Sequence, residues 1–478
     1  MSLYQDGMDG FGMDNVNSVM ELRKALDAGY DRPVDDGGGA LRLESLENSL
    51  KALSYGNQHL TFWNMIKGMS GDAFSTVEEF TQLTGYGSEA GGFVPEGVLP
   101  EEDDASYQRQ HTFIKFLGTT RVVSHPMTLV RQLPPEAKAR ENSNGILWLL
   151  RKLERALFWG NSSLGHVVSG STTEHVEFDG LDQLIPTSNT IDLKGVDISE
   201  SYVNQGAQLV LDNYGIPNTA LIDYGSKRVF NESYLNQQRI IIPDGNSGTL
   251  KAGLSISKFT TQAGDLAMAP CFFLRPTPKP PASATSSGAP DAPASIAAVG
   301  MTGTDADWVK TGAGAGTYFY QATACNRYGE SAPVIIGGAV TVGSGDLAKH
   351  VPLTVTAASP LTTAPEYYNI YRSQESSVYG TQCYWIGSVA AADISAGGTT
   401  PYSDVNWRMP NTSTAFIGEM SPQVLMWKQL LPLVSMPLAQ IAPSIRWIIL
   451  MYGAPVMYAP MKWARMLNVK NNLSKFSV

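Results

Sequence analysis

The stretch PPEAKARENSNGILWLLRKLERALFWG, residues 134–160, decides how the rest of the chain is read. Ile146, Leu149, Leu150, Leu153 and Leu157 recur at three- and four-residue spacing, which lays them along one face of an α-helix. Arg151, Lys152 and Arg155 fall on its other flanks, where long cationic side chains reach solvent. Pro134 and Pro135 suit a first helical turn, because the amide hydrogen they lack would be unpaired there. Gly160-Asn161 is a stop, since both residues tolerate a left-handed cap. Asn142-Ser143-Asn144-Gly145 is the weak point, and it leaves open a helix in two pieces with Ser143 capping the second. Either way a long amphipathic helix divides the chain. A charged, strand-like segment precedes it and a βαβ-rich body follows.

Length and composition set the frame. A chain of 478 residues, 43% apolar and 16% charged, is globular and long enough for two or three domains. Its 34 basic against 44 acidic residues leave a net charge of −10. That argues against a protein built to grip nucleic-acid phosphate, though not against one that surrounds it. Cys271, Cys325 and Cys383 are too few and too scattered for a disulfide framework or a closed zinc site. Reduced thiols made in a cytoplasm are expected. The opening MSLYQDGMDGFGMD has neither a basic nor an apolar signal-peptide region. Arg446 and several prolines break the most apolar stretch, Leu430 to Met461, below membrane-spanning length. A soluble chain without a cleaved signal is the expectation.

Before the helix, apolar spacing predicts short helices around Val16–Leu26 and Leu43–Leu53, joined by Asp35-Asp36-Gly37-Gly38-Gly39. Neither is long enough to be stable alone. Together with the mixed run from Phe62 to Phe80 they read as an extended arm. Glu101-Glu102-Asp103-Asp104 reads as a solvated loop, not as a split acid–base pair. Residues 107–132 alternate in short pieces and predict two β-ribbons around Leu117-Gly118-Thr119-Thr120. Arg109, Lys115, Arg121 and Arg131 make this segment basic. It is read as a contact with an acidic neighbouring surface ahead of a nucleic-acid stripe.

After the helix, strands are expected at Thr190–Leu193, Ala220–Asp223, Arg239–Ile242 and Leu254–Phe259, and the stretch Gly264–Leu274 closes this α/β body. Ser199 caps a helix from Glu200 to Asn213 with Val203, Ala207, Val210 and Leu211 as its buried stripe, and Ser226 caps another over Lys227–Leu235. The Pro/Ala/Ser run 275–295 is a linker that buries too little to fold. A Thr/Ala/Gly/Tyr-rich region follows to about Asn411, with strands around Thr317–Ala324, Val351–Thr356 and Tyr367–Arg372. That spacing predicts a small β-sandwich, inserted as a separate domain. Its removal over 290–412 is expected to leave the rest standing. Strands Ile445–Tyr452 and Pro455–Ala459 return the chain to the first body.

A search for chemistry finds no Walker loop, nucleophile elbow or His-Glu-x-x-His helix. Gly312–Gly316 is followed by no helix and reads as a turn. His166, Glu174, His175, Glu177 and Asp179 lie in a Ser/Thr/Gly-rich loop where metal ligands would be poorly held. Catalytic, cofactor and metal sites are therefore expected to be absent, and the chain is not read as an enzyme.

The order of elements carries a resemblance: arm, charged ribbon, the helix ending Leu153-Glu154-Arg155-Ala156-Leu157-Phe158-Trp159-Gly160, then Phe178-Asp179-Gly180-Leu181 and a βαβ body. It resembles the Hong Kong 97 fold of tailed-bacteriophage major capsid proteins over roughly 40–275 and 415–478. The resemblance implies an α+β fold in five parts. They are an N-terminal arm (1–94), an extended β-ribbon loop (95–133) and the peripheral and axial domains around the spine helix (134–275). A linker with an all-β sandwich (276–414) and the closing strands (415–478) complete it. The segment Tyr318–Ser331 is similar to a late strand and turn of fibronectin type III or immunoglobulin-like modules, and Tyr368–Ser373 to an earlier one, here in permuted order. In such a subunit the arm wraps a neighbour and the ribbon charges meet adjacent copies. The resemblance further implies a homo-oligomeric shell of hexamers and pentamers, assembled in the host cytoplasm and localised to the virion. Packaged dsDNA would be enclosed without sequence-specific binding. Scaffold, portal and decoration or cement proteins are implied partners, and no membrane is. Some members cross-link through Lys and Asn, but no motif here carries that to a named position. The competing readings are an encapsulin-like compartment shell and a surface adhesin binding glycans through Trp308, Tyr318, Tyr320 or Trp385.

Overall fold

The computed structural model describes residues 56–87, 93–99, 102–130, 136–169, 172–174, 176–235, 242–243, 250–251, 255–311, 313–375, 382–440 and 442–471. The architecture is mixed α+β. Ser54–Leu129 with Ala137–Val478 forms one compact unit. The other, Met1–Leu53 with Val130–Glu136, falls almost wholly outside the described residues, as do both short helices expected before residue 54.

The long helix runs unbroken from Ala137 to Trp159, so Asn142–Gly145 does not split it. Gly145 answers a packing need instead. A Cβ there would stand 2.5 Å from Ile449 Cδ1 and 3.1 Å from Arg121 Nε. Leu149, Leu150, Leu153 and Leu157 are buried, and Ile146 is half-buried against the same core. Each buried leucine contributes roughly 2 kcal/mol. Pro134 and Pro135 lie outside the described residues. The helix stops where two backbones cross: the Gly180 N–H donates to Gly160 O at 2.9 Å. A Cβ on either glycine would lie within 2.6 Å of a carbonyl oxygen. This crossing is why Phe178-Asp179-Gly180-Leu181 follows the helix, with Phe178 and Leu181 buried beneath it.

A four-stranded sheet packs beside the helix in the order Ser70–Asp72, Leu425–Pro437, Ser444–Met457, Lys115–Ser124. Two expectations are corrected here. Lys115–Ser124 is a single strand paired along its length with Ser444–Met457, so no turn falls at Leu117–Thr120. Gly118 is in the strand because a side chain would collide with Leu450, 2.7 Å away. Likewise the two expected late strands are one, Ser444–Met457, in which Pro455 faces Trp427. The true ribbon is elsewhere: Val77–Gly85 pairs antiparallel with Ser106–Phe113, Thr81 opposite Arg109. Its first strand lies in the stretch read as arm.

The second sheet has six strands, ordered Lys258–Thr261, Gly264–Pro270, Thr219–Ile222, Thr412–Gly418, Trp463–Lys470, Thr190–Asp192. Helix Glu200–Asp212 covers it through Val203, Ala207 and Val210, with Gly206 seated on Ile417. Leu211, assigned to that stripe, is 40% exposed, because it lies a residue further round the helix than Val210. The next helix begins at Tyr224, before Ser226. Asp223 does the capping, its Oδ2 accepting the Gly225 N–H at 2.9 Å. The strand expected at 239–242 lies mostly outside the described residues.

Between the two visits to this sheet the chain forms antiparallel sheets. One pairs Ser295–Ala298, Val351–Thr356 and Thr399–Asp404; another is centred on Tyr320–Asn326, Tyr367–Ser373 and Cys383–Ala390. Trp308, Tyr318, Leu353, Tyr368 and Ile370 share one core between them. The chain leaves and rejoins the body at one point: Thr277 N–H donates to Thr412 O at 3.1 Å, and Asn411 N–H to Thr277 Oγ1 at 2.9 Å. The three cysteines are free and buried. Among the described residues no helix is long and apolar enough to cross a membrane.

Candidate functional site

The helix is a hub, and Glu154 is its polar centre. Leu150, Glu154 and Phe158 lie at four-residue spacing on the buried side, so a carboxylate sits within the apolar stripe, fully buried. Its Oε1 accepts the Phe62 N–H at 2.8 Å and its Oε2 the Trp63 N–H at 2.6 Å. These are first-turn amides of helix Thr61–Ile66, which would otherwise be orphaned. Around this bond Phe62 stacks on Phe158 at 5.0 Å, and Phe158 faces Phe416 of the six-stranded sheet at 6.1 Å. Trp427 of the four-stranded sheet meets Trp63 at 5.3 Å and Phe178 at 5.9 Å.

Burial pushes the Glu154 carboxyl up to about 7, against the lowering pull of the Phe62, Trp63 and Thr61 amides. The folded chain then holds this proton more tightly than the unfolded one. Its contribution is fully present below pH 4.5, the ordinary value, and is lost as pH rises through 7, a swing of about 3 kcal/mol. Wild-type Tm should therefore fall between pH 5 and pH 8 more steeply than that of Glu154→Gln, whose side chain cannot ionise. Parallel slopes in a pH series of thermal melts would show that Glu154 does not titrate in this window.

The candidate contact cations are placed differently from one another. Arg109 is exposed on the ribbon and pairs with Glu79 at 3.3 Å. Lys115 lies 5.5 Å above the Phe113 ring, and burial holds its amine below the usual lysine range. Arg121 turns inward onto the long helix, near Glu141 at 3.8 Å and over Trp148. These contacts are within the subunit. Arg131 lies outside the described residues. Ile146, Leu149, Leu150, Leu153 and Leu157 line the helix's core face as given above. Around the ribbon, Tyr86, Phe93 and Leu99 are almost fully exposed, and Tyr107, Phe113 and Phe116 more than half. The ribbon's base is tied to the sheet by Lys428–Glu78 at 2.9 Å and by Phe80 edge-on to Tyr458.

Sequence reasoning missed the seam where residues 276–414 meet the body. Arg408 packs into the corner made by Trp159, at the end of the long helix, and Trp385: its Cζ lies 4.7 and 4.9 Å from the ring centroids, and the rings meet edge to face at 6.1 Å. Its Nη2 donates to both Asp182 oxygens at 2.9 and 3.0 Å, and Arg465 reaches the same carboxylate. Lys310, almost fully buried, pairs with Asp192 at 2.7 Å. Deeper in, Arg372 bonds Asp404 and Asn406 beneath Trp308. These partners lie far apart in sequence, and no local pattern marks them. Of the aromatics considered for glycans, Trp308, Tyr318 and Tyr320 are core and Trp385 is in this seam. Asp179 accepts from the Ser162 N–H and hydroxyl at 2.8 and 2.9 Å, and His175 lies outside the described residues. Among the described residues no three His, Cys, Asp or Glu side chains are grouped to hold a metal.

Tyr107 and Phe113 on the ribbon, Tyr86, Phe93 and Leu99 between its strands and Phe116 on the adjoining sheet strand are apolar exposure of the kind that marks an interaction surface. Comparison with known proteins agrees. The family profile for the SU10 major capsid protein matches residues 46–284, half the chain. The major capsid proteins of Staphylococcus phages S25-3 and K are each 29% identical over 463 residues, covering 94% of this chain and 95% of theirs. The chain belongs to the SU10 major capsid protein family and is a structural protein of a phage capsid. Among solved structures, the capsid of a native GTA particle aligns at 9% identity and TM-score 0.43, covering 92% of this chain and 99% of that one. The SrpI encapsulin of Synechococcus elongatus aligns at 8% and 0.41, covering 91% and 96%. Likeness this loose does not choose between a phage head and a compartment shell.

Proposed function

We propose that the chain is the head subunit of a tailed dsDNA phage, closing as hexamers and pentamers into an icosahedral shell around the genome. In this reading the fold is of the Hong Kong 97 type, with the Ala137–Trp159 helix as spine and the six-stranded sheet in the axial domain. Residues 1–94 carry the arm and 95–133 the extended loop, to which Val77–Gly85 adds the facing strand. Residues 134–275 and 415–478 make the body, and 276–414 carry an immunoglobulin-like sandwich displayed on the outside. Scaffold, portal and cement proteins act on this shell, which is assembled in the host cytoplasm.

The apolar groups exposed on and around the ribbon carry the reading. A monomer rarely leaves Tyr86, Phe93, Leu99, Tyr107, Phe113 and Phe116 to water together; a shell subunit covers such groups on assembly. Lys115–Ser124, the edge strand of its sheet among the described residues, adds a strand edge for a neighbour. A net charge of −10 suits enclosing DNA without gripping it.

Tyr107→Asp with Phe113→Asp should leave the subunit's Tm within about 2 °C, because exposed sites contribute little to folding. Particles seen by negative-stain microscopy and light scattering should be lost. Normal particles from that variant would remove the ribbon from the interface. Particles from infected cells that hold protein cargo and no nucleic acid would favour a compartment shell.

A further inference from the structure

Helix Thr61–Ile66 is tied to the rest of the subunit by few polar bonds. Among the described residues, the segment 56–69 makes three such hydrogen bonds. The Phe62 and Trp63 N–H groups donate to Glu154 at 2.8 and 2.6 Å, and the Thr61 hydroxyl donates to Pro270 O at 3.1 Å. The rest of its hold is apolar, with Leu60, Phe62 and Ile66 fully buried and Trp63 edge-on to Trp427. Strand pairing begins only at Ser70, opposite Trp427. Two of the three bonds therefore end on one carboxylate. That carboxylate has no exposed surface, and the first turn of this helix is the wall its two oxygens face.

This arrangement couples ionisation to docking. Lifting the helix would give Glu154 water, where its carboxyl returns toward the ordinary 4.5; docked, it stands at about 7, burial outweighing the amides. A group whose value is raised in the closed state favours closure fully below pH 4.5 and ceases to as pH rises through 7. Facing the carboxylate from the turn after Gly264–Pro270 is the Cys271 thiol, beside Thr61. Burial, and then the Glu154 charge, push that thiol up, so it stays protonated across this window. The other elements packed here bring rings, Phe62, Phe158 and Phe416, and among the described residues no cation pairs with Glu154.

We propose that Glu154 is a proton-operated latch: protonated, it holds the segment 56–69 against the long helix, and ionised, it lets that segment open while both sheets stay formed. The apolar contacts keep the closed form dominant throughout; the proton sets how often it opens. The latch acts within one subunit, so its failure would leave the shell reading as it stands.

The test is hydrogen–deuterium exchange of the full-length chain at pH 5.5 and pH 8.5, each peptide corrected for its intrinsic rate at that pH. Protection over 56–69 should fall at least about tenfold between the two in wild type and stay level in Glu154→Gln. Strand Trp463–Lys470 should remain better protected than 56–69 at both pH values, which marks the opening as local. Cys271→Ala should keep the wild-type fall. A fall that disappears with Cys271→Ala would move the titration to the thiol and overturn the proposal. So would wild-type protection equal at both pH values, or 56–69 exchanging together with Trp463–Lys470.

Discussion

Leu150→Pro should give little soluble subunit and no particles. Leu150 sits mid-helix and is 9% exposed. Proline there removes the helical bond to the carbonyl four residues back and clashes with it, at about 3 kcal/mol or more. Loss of the leucine packing adds roughly 2–5 kcal/mol. Together these approach the whole stability of an ordinary domain. The damage is also positional. Glu154, one turn on, holds the Phe62 and Trp63 amides, and Trp159 at the helix end holds Arg408. A kink at 150 moves both. Arg155→Ala, on the solvent side of the same turn, should stay within about 0.5 kcal/mol and assemble normally. Soluble yield, far-UV circular dichroism and negative-stain images read the contrast. Full particles from Leu150→Pro would mean that this helix is not the frame of the subunit.

The helix was legible because its signal is local: five apolar residues at one period name both the element and its face. Where partners are distant, local reading went astray. Gly118 in a run of short alternations suggests a turn, yet the strand continues because Leu450 needs the space. The ribbon's first strand, Val77–Gly85, hid because its half-buried face carries Glu78 and Gln82 beside Phe80 while Leu83 is on the exposed face, so polarity does not alternate with burial. Glu154 carried a readable sign, a carboxylate at the four-residue spacing of Leu150 and Phe158. Asp182, Arg408 and Arg465 carried none, since two of the three lie more than two hundred residues from the first. The change of composition at 275 was plain; the point of return was not. Thr412 looks like loop sequence, but it is the first residue of a central strand.

That return point sets the outcome of excising the β-rich region. Replacing residues 279–410 with a short Gly/Ser bridge should leave a soluble subunit that still forms particles, whereas removing 290–412 should leave an insoluble one. The first cut spares the stem: Thr277 and Thr412 stay bonded, and Asn411 keeps its bond to Thr277 Oγ1. Thr412 also keeps its place opposite Lys470 in the six-stranded sheet. The second cut removes Asn411 and Thr412, so it takes the stem and the start of that strand together. It also strands residues 275–289 without their anchor. The sparing cut is not neutral, because Asp192 loses Lys310 and Asp182 loses Arg408. Deleting one partner inside a closed site costs about 3–5 kcal/mol. Here the loss should be smaller, since excision opens both aspartates to water and Asp182 retains Arg465. Calorimetry should show Tm lowered by several degrees, about 2–4 °C per kcal/mol at this size, with one cooperative transition kept. Two insoluble products would mean that the seam is part of a single core, and that the body cannot close without the strands it surrounds.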